Sequence, residues 1–208
     1  MIYKTHLVPI LDDLTIYVPI AELVKTTYEQ QLINNPSTTF PFWAKIWPAS
    51  KAMSSFLQSE PNLVQGKTVL EIGAGIGIPS FIMANKALEI IISDHAPEAI
   101  DLIKRNIQHL GLVNLKAMCI DWNQFPEKMN AQTILLSDIN YAPDQFERLL
   151  NLIRKFWEQG STVIIATPQR ISALPFVEAV QPFIKQSILL PVPDGEQDID
   201  IRILILYK

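Results

Sequence analysis

The chain has 208 residues, 49% of them apolar and 18% charged, which is enough for one domain with a sizeable core and too apolar for a disordered chain. Its 17 basic and 21 acidic residues leave a net charge of −4, which argues against a dominant nucleic-acid-binding surface, although a local basic patch is not excluded. The one cysteine, Cys119, cannot form an intramolecular disulfide and lies in an apolar segment, where a buried thiol is expected.

In chain order, residues 1–40 read as an arm. Two β-rich runs, His6–Ile10 and Leu14–Val18, flank Leu11-Asp12-Asp13 as a hairpin, and Ala21–Leu32 has helical character until Asn34-Asn35-Pro36-Ser37 breaks it. Such an arm covers a sheet edge, mediates dimerisation or closes over a substrate, and the sequence leaves these open. Lys4, His6 and Pro9 interrupt the N-terminus, and no segment approaches the ~20 apolar residues needed to span a bilayer, so a cytoplasmic protein with no membrane partner is expected. His6, His95 and His109 are widely separated, and no metal site is predicted.

Residues 41–208 read as a second unit. Phe40 to Ser50 is the most aromatic stretch, with Trp43 and Trp47 held extended by Pro41 and Pro48 ahead of a helix over Ala49–Gln58. Taken alone, these tryptophans are packing residues. Thr68–Ile72 is a short apolar run of the buried parallel-strand type, interrupted by the carboxylate of Glu71. Gly73, Gly75 and Gly77 follow, alternating with Ala74 and Ile76, and should supply positive φ angles and let a ligand approach the backbone. Ile78-Pro79-Ser80 opens a helix to Lys86. Strand, glycine loop and helix start describe a nucleotide-type site. The spacing is E-x-G-x-G-x-G rather than the dinucleotide G-x-G-x-x-G, and a carboxylate two residues before the first glycine would repel a pyrophosphate while suiting a cation or an ammonium group.

Further strand ends repeat the theme. Ile90–Asp94 ends in a carboxylate 23 positions after Glu71, where an acidic residue can accept from both ribose hydroxyls, and Pro97 and Glu98 then start a helix to Leu110. Asn114–Ile120 is a third strand, followed by Asp121 and Trp122, a carboxylate and a ring of the kind an adenine pocket uses. Thr133–Ser137 is a fourth, with Ser137 at its end and Asp138-Ile139-Asn140-Tyr141 in the loop that faces the reactive end of a ligand in a doubly wound sheet. Each has a structural alternative: a helix-start charge for Asp94 and Asp138, a polar turn for Asp121. An amphipathic helix over Pro143–Glu158, a strand over Thr162–Ala166, a short helix over Ala173–Val180, and strands Ser187–Leu190 and Ile201–Leu206 complete the chain.

The E-x-G-x-G-x-G loop resembles the first motif of class I S-adenosylmethionine methyltransferases. W-P-A-S ahead of it, Asp121-Trp122, and Asp138-x-x-Tyr141 resemble the seven-strand protein lysine methyltransferases, with the likeness running from about Phe40 to Lys208. The N-P-P-Y-type tetrapeptide of amide and adenine N-methyltransferases is absent. The resemblance implies an α/β fold with a doubly wound, Rossmann-like seven-strand sheet whose last strand is antiparallel. It also implies S-adenosyl-L-methionine as cofactor, held by Trp47, Glu71, Gly73, Gly75, Gly77, Asp94, Asp121, Trp122 and Ser137. Trp43 and Tyr141 would meet the substrate, Asp138 and Tyr141 would orient the acceptor amine, and that amine would be a protein lysine. A small-molecule N- or O-methyltransferase and a non-catalytic cofactor-binding module are the alternatives; the sequence does not specify an oligomeric state.

Overall fold

The computed structural model describes residues 3–11 and 14–208; Asp12 and Asp13 of the expected hairpin turn lie outside them. The arm holds β1 (Thr5–Leu11) and β2 (Leu14–Pro19), paired antiparallel, and α1 (Ala21–Asn34). After α2 (Pro48–Ser59) come β3 (Thr68–Ile72), α3 (Ile78–Met83), β4 (Glu89–Asp94), α4 (Pro97–Leu110), β5 (Leu115–Cys119), β6 (Thr133–Ser137), α5 (Phe146–Glu158), β7 (Thr162–Pro168), α6 (Leu174–Val180), β8 (Ile184–Asp194) and β9 (Gln197–Leu206).

The main sheet has seven strands in the order β5-β4-β3-β6-β7-β9-β8. The first five are parallel; β9 runs antiparallel to β7 and β8 to β9. Chain order reverses between β3 and β6, so the crevice at their carboxyl ends is where such a sheet takes a ligand. Central strands lack a polar face because both sides are covered. Val69, Ile90, Ile92, Leu135 and Ile164 pack with the helices α2, α3 and α4, while Leu70, Ile134, Leu136, Val163 and Ile165 pack with α5 and α6.

Three expectations need correction. The helix after the glycine loop ends at Met83 rather than Lys86. The last hairpin is far longer than four- and six-residue runs suggest, because β8 is an edge strand: Pro191 and Pro193 stay in register opposite Asp200 and Asp198, where their missing N–H groups cost no ladder bond. Cys119 is exposed, not buried; it ends β5, the opposite edge strand, and its thiol reaches only the His95 carbonyl at 3.4 Å.

Among the described residues, the two strands of the arm form their own sheet and pair with neither edge of the main one. Strand β2 lies against α4, where the fully buried Asn106 accepts from the Tyr17 N–H at 2.7 Å and donates to the Tyr17 carbonyl at 3.0 Å, standing in for a neighbouring strand. The Arg105 guanidinium lies 3.6 Å from the centre of the Tyr17 ring and also donates to the Thr5 hydroxyl at 2.8 Å, so both strands are tied to the same helix.

Candidate active site

A cavity of about 560 Å3 opens at the carboxyl ends of β3, β4 and β6. Its floor is the loop from Gly73 to Gly77, in which all three glycines have positive φ: 64°, 57° and 82°. Positive φ was expected; the freedom from β-carbons serves a further purpose. A Cβ on Gly73 would lie 3.0 Å from Ile139 and 3.2 Å from the Trp122 ring, and one on Gly75 would lie 3.1 Å from the Trp43 carbonyl oxygen. These glycines let protein segments close on the loop, so the missing side chains also make room for the cavity's walls.

Asp94, at the end of β4, locks the same loop. Its Oδ2 accepts from the Gly75 N–H at 2.8 Å and its Oδ1 from the Ala96 N–H at 3.0 Å, with His95 Nδ1 at 3.3 Å. Carboxylate oxygens each accept more than one bond, so Asp94 retains lone pairs toward the cavity it lines. The hydrogen bond to Asp94 raises the His95 pKa above its ordinary value, against an opposing contribution from burial.

Glu71 does not line the cavity, contrary to expectation. Being odd-numbered with Val69 on β3, it projects to the α3 face, where its Oε2 accepts from the Ser80 backbone N–H at 3.2 Å and from the Ser80 hydroxyl, while Oε1 is buried without a partner. Burial pushes its carboxyl up to about 7, opposed by the two Ser80 bonds and reinforced by the Asp94 charge. Glu71 therefore anchors the start of α3 under the loop. Asp121 is corrected in the same way: it is exposed, lies outside the cavity lining, and accepts from the Asn123 backbone and side-chain nitrogens at 2.8 Å as the cap of a 3-10 turn. Its neighbour Trp122 does line the cavity.

The opposite wall is the loop after β6. Asp138 has φ 55°, the one positive φ outside glycine among the described residues, a conformation that costs of order 1 kcal/mol and persists only where its surroundings enforce it. They do so twice: the Asp138 N–H donates to the Ala166 carbonyl at 2.8 Å, and its carboxylate takes both terminal nitrogens of Arg170, with Nη2 to Oδ2 at 2.9 Å. Arg170 follows β7 and had no motif to mark it; the structure alone makes it part of this wall. Asn140, fully buried, accepts from the Thr167 hydroxyl at 3.0 Å, so β7 holds the loop at two points.

Tyr141 stands at the rim, 43% exposed, its ring 5.6 Å from that of Phe42. Burial, with the charges of Asp94, Asp138 and Asp144, raises the Tyr141 pKa and keeps its phenol protonated. Phe42 continues to Trp47 at 6.1 Å, Trp47 donates its indole N–H to the Phe42 carbonyl at 2.8 Å, and Lys45 lies 4.5 Å over the Trp47 ring. Trp43 lies deeper, nearly buried, its backbone against Gly75. Thus Trp43, Trp47, Gly73, Gly75, Gly77, Asp94, Trp122, Ser137, Asp138 and Tyr141 converge on one cavity, and Glu71 and Asp121 do not.

The lining suits an adenosyl sulfonium better than a phosphate ligand. Carboxylates of Asp94, Glu98 and Asp138 outnumber the ammonium of Lys45, aromatic rings supply flat apolar surface, and the Ser137 hydroxyl, buried with no partner, is left for a ligand to satisfy.

Together, the seven-strand sheet with its antiparallel ending and the glycine-floored cavity at the switch point give the chain the fold of the class I methyltransferases, with its cavity where such a sheet takes a ligand. The fold superposes on an N-methyltransferase from Bradyrhizobium japonicum crystallised with S-adenosylhomocysteine, with a TM-score of 0.64 and 13% identity over 88% of this chain and 99% of that one. The family model of lysine methyltransferases matches residues 29–186, and the chain belongs to that family. It is 30% identical over 139 residues to the calmodulin-lysine N-methyltransferase of Arabidopsis thaliana and 33% identical over 141 residues to the mouse electron transfer flavoprotein beta subunit lysine methyltransferase. Each match covers 62% of this chain, and 46% and 51% of the respective relative, so the chain spans about half the length of these two proteins. A human histone-arginine methyltransferase is 28% identical over 52% of this chain and 60% of its own length.

Proposed function

We propose that the protein transfers a methyl group from S-adenosylmethionine to the side-chain amine of a lysine in a protein substrate. The observation that carries this reading is the wall made by Asp138 and Tyr141, which meets the cofactor cavity on one side and an open aromatic rim on the other. A bound S-adenosylmethionine supplies an electrophilic methyl on a sulfonium, so the protein needs no covalent nucleophile. What its residues must do is align an amine for in-line attack, a task in which positioning alone removes much of a barrier.

Asp94 would accept from the ribose hydroxyls, Trp122 would flank the base, and Ser137 would bond the ligand through its unpartnered hydroxyl. Phe42 and Trp47, with Tyr141, give a rim that suits an alkylammonium chain passing from solvent, as cations favour aromatic faces. An amine attacks only as its free base. Because Arg170 already offsets the charge of Asp138, the wall does not present a bare carboxylate that would hold the acceptor protonated. The protonated Tyr141 phenol and the fixed Asp138 oxygens are placed to orient the amine, and its proton passes to water. A partly exposed Tyr141 at an open rim favours a protein side chain over a small enclosed metabolite.

The experiment is transfer of label from methyl-labelled cofactor into a cell lysate separated into proteins and metabolites. Label in the protein fraction is expected; label confined to metabolites would replace this reading with the small-molecule one. A cytoplasmic location and the division at residue 40 are part of the same proposal.

A further inference from the structure

The matched family stretch begins at residue 29, yet the first described residue of the chain reaches the cofactor cavity. Tyr3 is 8% exposed and lines the cavity beside Trp43, the two rings meeting edge to face at 5.6 Å and 69°. Trp43 in turn lays its backbone on Gly75, whose N–H is held by Asp94. Tyr3, Trp43, Gly75 and Asp94 thus form one continuous contact chain across the cavity. Burial, reinforced by the charge of Glu98 in the first turn of α4 and also in the lining, raises the Tyr3 pKa, so the phenol is a neutral donor there.

The placement is fixed by the arm. Lys4 accepts through its carbonyl from the Ile20 N–H at 2.9 Å, immediately beyond Tyr3, and β1 and β2 are tied to α4 by Arg105 and Asn106. Gln31 of α1 and Thr39 and Phe40 after it line the same cavity. Tyr3 joins the hydrophobic cluster that also holds Trp43, Ile76 and Ile78, so the ring is both packed into the core and part of the cavity wall, carried there by a hairpin that lies outside the seven-strand sheet.

We propose that Tyr3 is a cofactor-contact residue and that the N-terminal arm is a built part of the cofactor site rather than a substrate-side or edge-covering appendage. This rests on the S-adenosylmethionine reading above. The ring closes the wall beside Trp43 and excludes water from the bound adenosyl sulfonium; the hydroxyl offers it one hydrogen bond.

The test uses S-adenosylhomocysteine and the full chain. Calorimetry should show Tyr3→Phe binding a few-fold more weakly than the wild type, the loss of one hydrogen bond, and Tyr3→Leu at least about tenfold more weakly, the loss of the aromatic contact as well. A second readout separates contact from mere folding: trypsin cleavage after Lys4, followed by mass spectrometry, should be slowed by saturating S-adenosylhomocysteine in the wild type and not in Tyr3→Leu. Wild-type binding with an equally tight and equally protected Tyr3→Leu overturns this inference and leaves the cofactor reading intact. A wild type that binds no S-adenosylhomocysteine overturns both. Should Tyr3→Leu fail to fold, the wild-type cleavage decides: cleavage after Lys4 unchanged by the ligand overturns the proposal, and slowed cleavage supports it.

Discussion

The two walls of the cavity are held by different kinds of interaction. On the β3–β4 side, the loop from Gly73 to Gly77 is fixed by backbone groups: positive φ at three glycines, the Gly75 N–H on Asp94, and the Ser80 N–H on Glu71. On the β6–β7 side, one backbone bond, the Asp138 N–H on the Ala166 carbonyl, is joined by side chains from distant positions: Arg170 on Asp138, Thr167 on Asn140, Phe42 against Tyr141. The first arrangement suits a constant ligand met by main chain. The second can vary residue by residue without disturbing the first, which is what a family acting on different proteins requires. The walls should therefore be breakable one at a time.

The largest effect is expected from Asp138→Asn. It retains shape but loses the charge that pairs with Arg170, and loss of one positioned polar group in a transition state is worth roughly 2.7–4 kcal/mol, or ~100- to 1,000-fold in turnover. S-adenosylhomocysteine affinity by calorimetry should stay within a few-fold of wild type. Equal losses in both measurements would mean that the walls are not separable.

Glu71→Gln probes the other wall through stability. The Glu71 carboxyl is raised from 4.5 to about 7 in the folded chain, so its contribution to stability is fully present below pH 4.5 and is lost as pH rises through 7. A shift of that size corresponds to about 3 kcal/mol across the window. Urea unfolding at pH 5 and pH 8 should show wild-type stability falling with pH and a flatter response in Glu71→Gln. An identical slope in the two proteins would contradict the assignment of Glu71 to the α3 face as a protonated anchor.

Gly75→Ala should cost about 1–3 kcal/mol, from a side chain at φ 57° and a Cβ 3.1 Å from the Trp43 carbonyl oxygen. The strain is delivered to Trp43, so cofactor affinity should fall together with the melting temperature; a fall in affinity with no change in melting would show that the β-carbon meets the ligand directly.

The smallest effect is expected for Tyr141→Phe. It retains the ring against Phe42 and removes one hydroxyl, worth roughly 1 kcal/mol and thus a several-fold loss in turnover, seen at saturating acceptor and not in cofactor affinity. A loss as deep as that of Asp138→Asn would move the phenol from a supporting to a principal role.

How much of this was legible in the sequence follows the same division. The β3–β4 wall is contiguous: strand, glycines, helix start and a strand-end carboxylate fall within Thr68 to Ala96, so spacing alone brought Gly73, Gly75, Gly77 and Asp94 together. Even there, the side of β3 on which Glu71 emerges depends on strand alternation relative to α3, and a strand with two buried faces hides that phase. Asp121 could be assigned to the correct end of β5 but not turned toward or away from the cavity, because an aspartate accepts from the backbone two residues on, here the Asn123 N–H, as readily as it meets a ligand. The β6–β7 wall was half legible. Asp138 and Tyr141 stood out as a pair, while Arg170, 32 positions away, carried no local signal; only the β6–β7 pairing brings it alongside. Tyr3 is the extreme case, linked to the cavity through a hairpin whose docking on α4 depends on Asn106, an asparagine in the middle of an amphipathic helix.

The most direct measurement for the central claim is the chemical identity of the methylated product. Protein from a lysate incubated with this chain and methyl-labelled S-adenosylmethionine should be hydrolysed to amino acids and separated against standards. Label travelling with ε-N-methylated lysine is the expected result. Label travelling with methylated arginine, or with no amino acid at all, would contradict it.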